Sequence, residues 1–244
     1  MKKKKMNPRV QFQLNRELDC KVGAHFLNLS KAGVSFGAKI LKDHPNLDKA
    51  KKVTLRKRNE KVTSYVNSFY RKHEKELELT QNRFQQEWDR SSETFFGVVG
   101  KLFNKHPWPE GKYIAYVSIF NCNPRFLKDK TFQVYWKHPK GVVAVSTHEM
   151  LHFLFYDYVK TNFSKEVLSE GKLWQLSEIF NHFVLAEPPF IKFTGDKHPS
   201  LYRDLLGLAQ RLRPFWEKNK SLYHFLSTSI KSLSDHKKIA LQTG

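Results

Sequence analysis

Apolar and polar residues alternate in two segments of the chain and predict strands there. Residues 9–14 (RVQFQL) and residues 131–136 (TFQVYW) follow the two-residue period of a strand with one buried face. Residues 113–120 (YIAYVSIF) are rich in β-branched and aromatic side chains and also predict a strand. Residues 22–29 and 34–41 are apolar-rich and flank a Gly-containing turn, a pattern that fits either a small meander or two short helices.

Helical spacing of apolar residues dominates most of the remaining chain. Residues 47–87 contain no Gly or Pro and predict one long helix or a helical hairpin, and residues 92–104 predict a further helix. Near the C-terminus, residues 190–193 predict a short extended segment that follows Pro188 and Pro189. Three more helices are predicted in this region, at residues 173–185, 201–218 and 221–234.

The order of these elements predicts an α+β fold. We expect a small mixed or antiparallel sheet, a long N-terminal helical scaffold and a helical C-terminal part. Residues 1–105 would contain the first strands and the scaffold, and residues 106–244 would contain the other elements. We expect the two parts to form one compact unit.

One apolar segment carries a distinctive chemical motif. Residues 142–158 (VVAVSTHEMLHFLFYDY) contain the pattern H-E-x-x-H from His148 to His152. Residues four apart lie on one face of a helix, so the two imidazoles can bind one metal ion, and Glu149 can reach a water bound to it. The alternative is a core helix whose two histidines bond to backbone carbonyls.

With this motif, the sequence resembles the zincin metallopeptidases. Two strands followed by an H-E-x-x-H helix is the order that the resemblance implies, so residues 106–244 are expected to be a zincin-like catalytic region. The resemblance implies a zinc-dependent hydrolase acting on peptide bonds, with Zn²⁺ held by His148 and His152 and a zinc-bound water activated by Glu149. It also implies that an extended peptide substrate adds to a sheet edge at residues 131–136.

A catalytic zinc site usually takes three protein ligands and a water, so a third ligand is needed. The longer motif H-E-x-x-H-x-x-G-x-x-H is absent, because Phe155 and Tyr158 stand where its Gly and last His would be. Asp157 projects about 140° round the helix from His152 and can be a ligand only if that helix ends early.

Glu178 is the preferred third ligand. It is the single acidic residue of the apolar segment 173–185, where an unpaired carboxylate would be costly to bury. Two antiparallel helices would bring it level with His152. This arrangement resembles the gluzincins, in which a second helix supplies a Glu. Where several of those families have a supporting Asp four residues later, this chain has His182, which could itself compete as a ligand.

Hydrolysis of a peptide bond also needs a second donor for the developing oxyanion. No motif identifies this donor. The candidates for transition-state stabilisation or for support of the ligands are His182, His198, Tyr202 and Tyr223.

A second, shorter resemblance concerns the substrate. Residues 147–155 (THEMLHFLF) look like the helix of SprT-like, Spartan-type proteases, which digest DNA–protein crosslinks. Those proteins take a third His from a later H-G-x-x-F-like segment, which this chain lacks. The formal net charge of +20 suits a nucleic-acid partner, although lysines spread over the whole surface would give the same charge. The alternatives to a plain metallopeptidase are therefore a nucleic-acid-associated protease, a basic nucleic-acid-binding protein and an inactive zincin-like structural module.

Composition limits the class of protein and its compartment. Hydrophobic residues make up 40% of the 244 residues, which excludes global disorder. Cys20 and Cys122 form no disulfide framework, and no apolar run approaches the ~18–20 residues of a membrane helix. The polar residues that follow Lys2–Lys5 argue against the apolar core of a signal peptide. We therefore expect a cytoplasmic protein.

Overall fold

A computed structural model of the chain describes residues 7–164, 168–219 and 221–242. It confirms a mixed α+β class with a small mixed sheet. The strands are β1 (Val10–Leu14), β2 (Ser30–Lys31), β3 (Val34–Ser35), β4 (Tyr113–Ser118), β5 (Arg125–Phe126) and β6 (Thr131–Tyr135). The helices are α1 (Arg16–Phe26), α2 (Phe36–Asp43), α3 (Asp48–Lys51), α4 (Leu55–Leu102), α5 (Gly141–Asn162), α6 (Glu170–Leu185), α7 (Pro188–Thr194), α8 (Leu206–Asn219) and α9 (Leu222–Gln242). Lys2–Lys5 lie outside the described residues.

The chain divides into two compact units, and neither is continuous in sequence. The sheet unit comprises Pro8–Ser92 and Gly111–Ser146, and the helical unit comprises Asn7, Glu93–Glu110 and the described residues from Thr147 onward. Two of the boundaries fall inside α4 and α5, because each of these helices runs from one unit into the other. The predicted division at residues 105 and 106 coincides with none of the four boundaries, since the two units alternate along the sequence.

The sheet unit is built on four strands in the order β1-β4-β6-β5. β1 and β6 both run parallel to β4, and β5 pairs antiparallel with β6. All five residues of β6 are buried, as expected for an inner strand of a parallel arrangement. The strands predicted at residues 9–14, 113–120 and 131–136 are therefore confirmed.

The prediction that residues 131–136 form a sheet edge is wrong. β6 lies between β4 and β5, and the chain just before β5 covers the rest of its outer side. The backbone N–H of Gln133 donates to the Pro124 carbonyl (2.9 Å), and that of Tyr135 donates to Asn123 Oδ1 (2.8 Å). An added peptide strand would have to displace these bonds.

The structure decides one open prediction and differs from two others. The ambiguous segments at residues 22–29 and 34–41 lie largely within helices α1 and α2, joined by the short β2–β3 hairpin. Residues 190–193 are helical rather than extended, because Pro188 begins α7 at a position where a missing N–H costs nothing. The break predicted between residues 87 and 92 is absent, because α4 continues through it; α4 is instead kinked at His73, whose φ and ψ are not helical.

A buried carboxylate links four elements of the sheet unit. Asp19 on α1 is fully buried and accepts hydrogen bonds from donors on α4, β4 and β6 and from a backbone N–H. These donors are Tyr70 Oη (2.8 Å), Ser118 Oγ (2.5 Å), Gln133 Nε2 (2.8 Å) and the backbone N–H of Ile119 (3.2 Å). Burial raises the pKa of Asp19 from 3.8 to about 6, although the hydrogen bonds from Ser118, Tyr70, Ile119 and Gln133 oppose the rise.

The helical unit has an aromatic core that joins α4, α5, α6 and α8. The Phe180 ring of α6 lies 5.0 Å from the Phe155 ring of α5 and 5.8 Å from the Phe103 ring, which follows α4 directly. Phe183 stacks on Trp216 of α8 with ring centroids 6.3 Å apart. Each such aromatic pair contributes about 0.5–1.5 kcal/mol beyond its buried area, so these rings stabilise the packing of the helices. Among the described residues, no helix has the length and hydropathy required to cross a membrane.

The raised pKa of Asp19 predicts a pH-dependent stability. A carboxyl whose pKa is higher in the folded state than in the unfolded state stabilises the fold fully below pH 3.8, and this contribution is lost as the pH rises through about 6. The Asp19→Asn substitution removes this titration. It should therefore lower the free energy of unfolding by about 2 kcal/mol more near pH 4.5 than near pH 7.5. Urea unfolding at the two pH values measures the difference, with Asp48→Asn, an exposed acid of α3, as control. Equal losses at both pH values would show that the pKa is not raised.

Candidate metal centre

Helix α5 carries the H-E-x-x-H motif in a largely buried setting. A turn in which the Gly141 N–H donates to the His138 carbonyl (3.0 Å) precedes it, and Gly141 takes a φ of 74° that favours glycine. The helix therefore begins at Gly141, seven residues before His148. Along its middle the side chains are buried on nearly every face, and His148 is an exception, with 31% of its side chain exposed.

Helix α6 begins at a capping serine and places Glu178 in its middle. Ser169 Oγ accepts a hydrogen bond from the Lys172 N–H, and Glu170 in the first turn favours the positive end of the helix dipole. The helix ends at Leu185, shortly before Pro188 begins α7. Glu178 is 6% exposed and is surrounded in sequence by buried residues from Leu176 to Leu185, with His182 only half-buried.

Three contacts show that α5 and α6 run antiparallel. Asn181 Nδ2 donates to the backbone carbonyl of His148 (2.8 Å), Glu178 Oε1 lies 3.5 Å from His152 Nε2, and Ser177 Oγ is hydrogen-bonded to Tyr156 Oη (3.3 Å). The residue numbers rise along α5 while they fall along α6. Glu178 therefore lies level with His152 along the helix pair, as expected.

The side chains of His148, His152 and Glu178 converge on one point. The two Nε2 atoms are 3.0 Å apart, Glu178 Oε2 lies 3.6 Å from His148 Nε2, and Glu178 Oε1 lies 3.5 Å from His152 Nε2. Among the described residues, this is the only group of three His, Cys, Asp or Glu side chains whose ligand atoms all lie within 4.8 Å of one another.

The geometry of this group fits a zinc ion. Three ligand atoms at ~2.0–2.1 Å from a tetrahedral ion are separated by about 3.3–3.4 Å. The two Nε2 atoms are slightly closer than this value, and the two nitrogen–oxygen separations, each to a different oxygen of Glu178, are slightly longer. Two imidazole nitrogens and one carboxylate are also a donor set that catalytic zinc takes.

Glu149 lies beside the three side chains without being one of them. It is 5% exposed, and its Oε1 atom is 4.0 Å from His148 Nε2. A carboxylate next to the ligand atoms can accept a proton from a water bound among them. The role of Glu149 as a base stays a prediction of the motif.

The rival third ligands are engaged elsewhere. Asp157 Oδ2 lies 2.9 Å from His106 Nε2, and the group of three does not include it. His182 Nδ1 donates to the Pro199 carbonyl (2.8 Å), and burial lowers the pKa of this imidazole, so its neutral form is favoured. The structure therefore groups Glu178, and neither of these residues, with the two histidines.

The candidates for an oxyanion donor lie outside the group of three. His198 is exposed on the loop after α7, and Tyr223 is 55% exposed and stacks on Phe163. Tyr202 packs its ring 5.3 Å from Trp174, which lies one turn before Glu178 on α6. Tyr202 is thus tied to the helix that supplies the carboxylate.

Asn181 and Tyr156 are part of the α5–α6 contact, although the sequence analysis assigned them no role. Tyr156 follows His152 by four residues and therefore lies on the same helical face as both histidines. Asn181 follows Glu178 by three residues in an apolar stretch, and a buried amide there signals a hydrogen bond to another element.

The arrangement brings together three side chains that could hold a metal ion, with a carboxylate at their side, in a largely buried setting. Such a group can bind a divalent cation and transfer a proton next to it. Its accessible member is His148, so a small molecule or chain segment would approach from that side. No protein-family model, curated protein or solved structure matches this chain.

Proposed function

We propose that this chain is a zinc-dependent hydrolase, most specifically a metallopeptidase of the gluzincin type. The observation that carries the proposal is the Glu178 carboxylate, which α6 places 3.5–3.6 Å from the Nε2 atoms of His148 and His152. A parallel pair of strands, β4 and β6, precedes the motif helix in the chain and supports a zincin-like arrangement. The substrate class, a peptide, comes from the resemblance of the motif.

The three side chains would hold Zn²⁺, with His148 and His152 as nitrogen ligands and Glu178 as the oxygen ligand. Bound there, zinc would lower the pKa of a coordinated water and polarise the carbonyl of the scissile bond. Structural zinc sites are closed by four protein ligands, whereas catalytic sites keep one position open. A group of three ligands with a partly exposed His148 favours the open kind and argues against an inactive structural module.

Glu149 would act as the general base and then as the general acid. It takes a proton from the attacking water and gives it to the leaving nitrogen. Its burial keeps competing water away and strengthens its electrostatic effect on nearby groups. A peptide held by strand addition at residues 131–136 is not part of the proposal, because β6 is already paired on both sides.

The metal assignment predicts how zinc affinity responds to Glu178→Gln. The purified protein should hold one zinc per chain, and the variant should bind zinc more than about 100-fold more weakly, because losing a direct ligand exceeds the effect of losing an outer-shell partner. Removal of the buried charge should leave the apo protein as stable as before or more stable. Chelator competition measures the affinity, and Glu170→Gln, an exposed acid of the same helix, is the control.

The competing explanation makes the opposite prediction for the same variant. If Glu178 forms only an ion pair with a protonated His148 or His152, its loss should lower stability with and without zinc and leave zinc affinity unchanged. Such a result would exclude Glu178 as a zinc ligand.

The base assignment predicts that Glu149→Gln folds and binds zinc like the wild type but loses turnover. General acid–base catalysis contributes about 10²–10⁴-fold, so kcat on a peptide library should fall by at least this factor. Glu170→Gln should retain full turnover. Cleavage by the Glu149 variant at nearly the wild-type rate would exclude the mechanism.

A second candidate function, contact with nucleic acid, is favoured by the distribution of charge. Residues 49–61, where α3 meets α4 in the sheet unit, contain seven Lys and Arg side chains and one acid. All seven except Arg58 are exposed. Arg58 instead donates to the carbonyls of Ala50 and Val53 and fixes the turn between the two helices. We name residues 49–61 the basic corner.

The helices that carry the metal-binding group do not share this excess of positive charge. Residues 147–162 of α5 and helix α6 contain four acids and two lysines. The basic corner is therefore a separate feature, and a polyanion contact there does not depend on the hydrolase proposal.

The basic corner predicts a localised, salt-dependent affinity for DNA. Neutralising four of its cations should weaken binding of a 30-base-pair duplex and lower the slope of log K against log salt by up to about 4. The variant replaces Lys51, Lys52, Arg56 and Lys57 by Gln. The control replaces four exposed lysines scattered over the sheet unit, Lys42, Lys72, Lys75 and Lys128. Fluorescence anisotropy measures both, and equal weakening by the two variants would show that the corner has no special role.

A further inference from the structure

Asn181 makes a hydrogen bond to a backbone carbonyl of α5 that already has a partner inside the helix. Its side chain is fully buried, and Nδ2 donates to the backbone carbonyl of His148 at 2.8 Å. A carbonyl oxygen can only accept, so the amide nitrogen must face it and the orientation of the carboxamide is fixed. The carbonyl of His148 lies inside α5, where the N–H four residues later already provides a partner.

This arrangement leaves Asn181 partly unsatisfied. Its Oδ1 atom is buried and has no hydrogen-bond partner among the described residues. A buried acceptor without a partner is destabilising, and an apolar side chain of similar size would avoid the loss. Stability of the helix pair alone therefore favours leucine at this position over asparagine.

The position of the bond suggests what it does for the group of three. Asn181 follows Glu178 by less than one helical turn, and its acceptor belongs to His148 itself. Packing of Phe155 on Phe180 holds the two helices together but tolerates small sliding movements, whereas a hydrogen bond is directional. Before Glu178 on the same helix, the hydrogen bond between Ser177 and Tyr156, at 3.3 Å, is longer than the bond from Asn181 to His148.

We propose that Asn181 is a positioning residue that sets the register of α6 against the backbone of His148, so that the Glu178 carboxylate is held at the two imidazoles before metal arrives. The inference rests on the proposed zinc site. Partners beyond the ligands commonly contribute ten- to a hundredfold to metal affinity by holding ligands in place. Asn181 acts through the main chain of a ligand and not on a ligand side chain.

The test compares Asn181→Leu with the wild type and with Val184→Ala. The leucine removes the donor and the unsatisfied Oδ1 while it fills the same space. Val184 is a buried residue of the same helix, and its truncation loosens packing without removing a hydrogen bond. For each protein, chelator competition gives the zinc dissociation constant, and urea unfolding of the apo form gives the transition midpoint.

We expect Asn181→Leu to bind zinc about tenfold more weakly than the wild type while its urea midpoint is unchanged or higher. Val184→Ala should show a lower midpoint and a zinc affinity within twofold of the wild type. If the leucine variant does not fold, Asn181→Ala, which cannot clash, should show the weakened affinity instead.

Three results would contradict the inference, and they are distinguishable. Wild-type affinity in a folded Asn181 variant would overturn the positioning role and leave the zinc site intact. Equal weakening in Val184→Ala would show that general packing sets the affinity. A wild-type protein that binds no zinc would overturn the proposed function, and the positioning role with it.

Discussion

The carboxylate of Glu178 has to be accommodated inside a nearly apolar helix pair, and the arrangement of α5 and α6 follows from this constraint. Moving an ionised carboxylate out of water costs several kcal/mol unless an opposite charge or good donors compensate. In this chain the side chain is 6% exposed, and its two oxygens face two different imidazoles. Antiparallel packing with this register is what brings both histidines to the one acid.

The two units of the protein contain buried carboxylates with different surroundings. Asp19 accepts hydrogen bonds from two hydroxyls, a side-chain amide and a backbone N–H, which are permanent donors. This environment suits a structural link between α1, α4, β4 and β6. Glu178 instead faces imidazole nitrogens that, in the neutral form, offer lone pairs to a cation. Buried carboxylates therefore have a structural role in the sheet unit and, in the helical unit, the ligand role that we propose.

Much of the candidate site could be predicted from sequence because its signals are local. The spacing of His148 and His152 fixes their common face, and a single acid in an apolar segment identifies Glu178 as a residue that needs a partner. Asn181 was missed because a side-chain bond to a distant backbone carbonyl leaves no pattern in the sequence. The prediction that residues 131–136 form a sheet edge failed for a similar reason. Beyond the short strand β5, the groups that cover β6 are one side chain, Asn123, and the carbonyl of Pro124, and neither leaves a pattern in the sequence.

The fold was predicted less evenly, and the reasons are physical. The periodic apolar pattern predicted the long helical segment of α4. It did not predict that α4 continues through residues 88–91 or that α4 and α5 each span both units, because the pattern shows which residues are buried and not which elements bury them. Residues 190–193 were misassigned because proline ends one helix and begins another with equal ease.

X-ray absorption spectroscopy at the zinc edge, on protein loaded with one zinc per chain, tests the central claim most directly. The account predicts a first shell of nitrogen and oxygen atoms at about 2.0–2.1 Å, with outer-shell scattering from two imidazoles and no sulfur. A shell containing sulfur near 2.3 Å, or one without the scattering of two imidazoles, would contradict the assignment of His148, His152 and Glu178 as the zinc ligands.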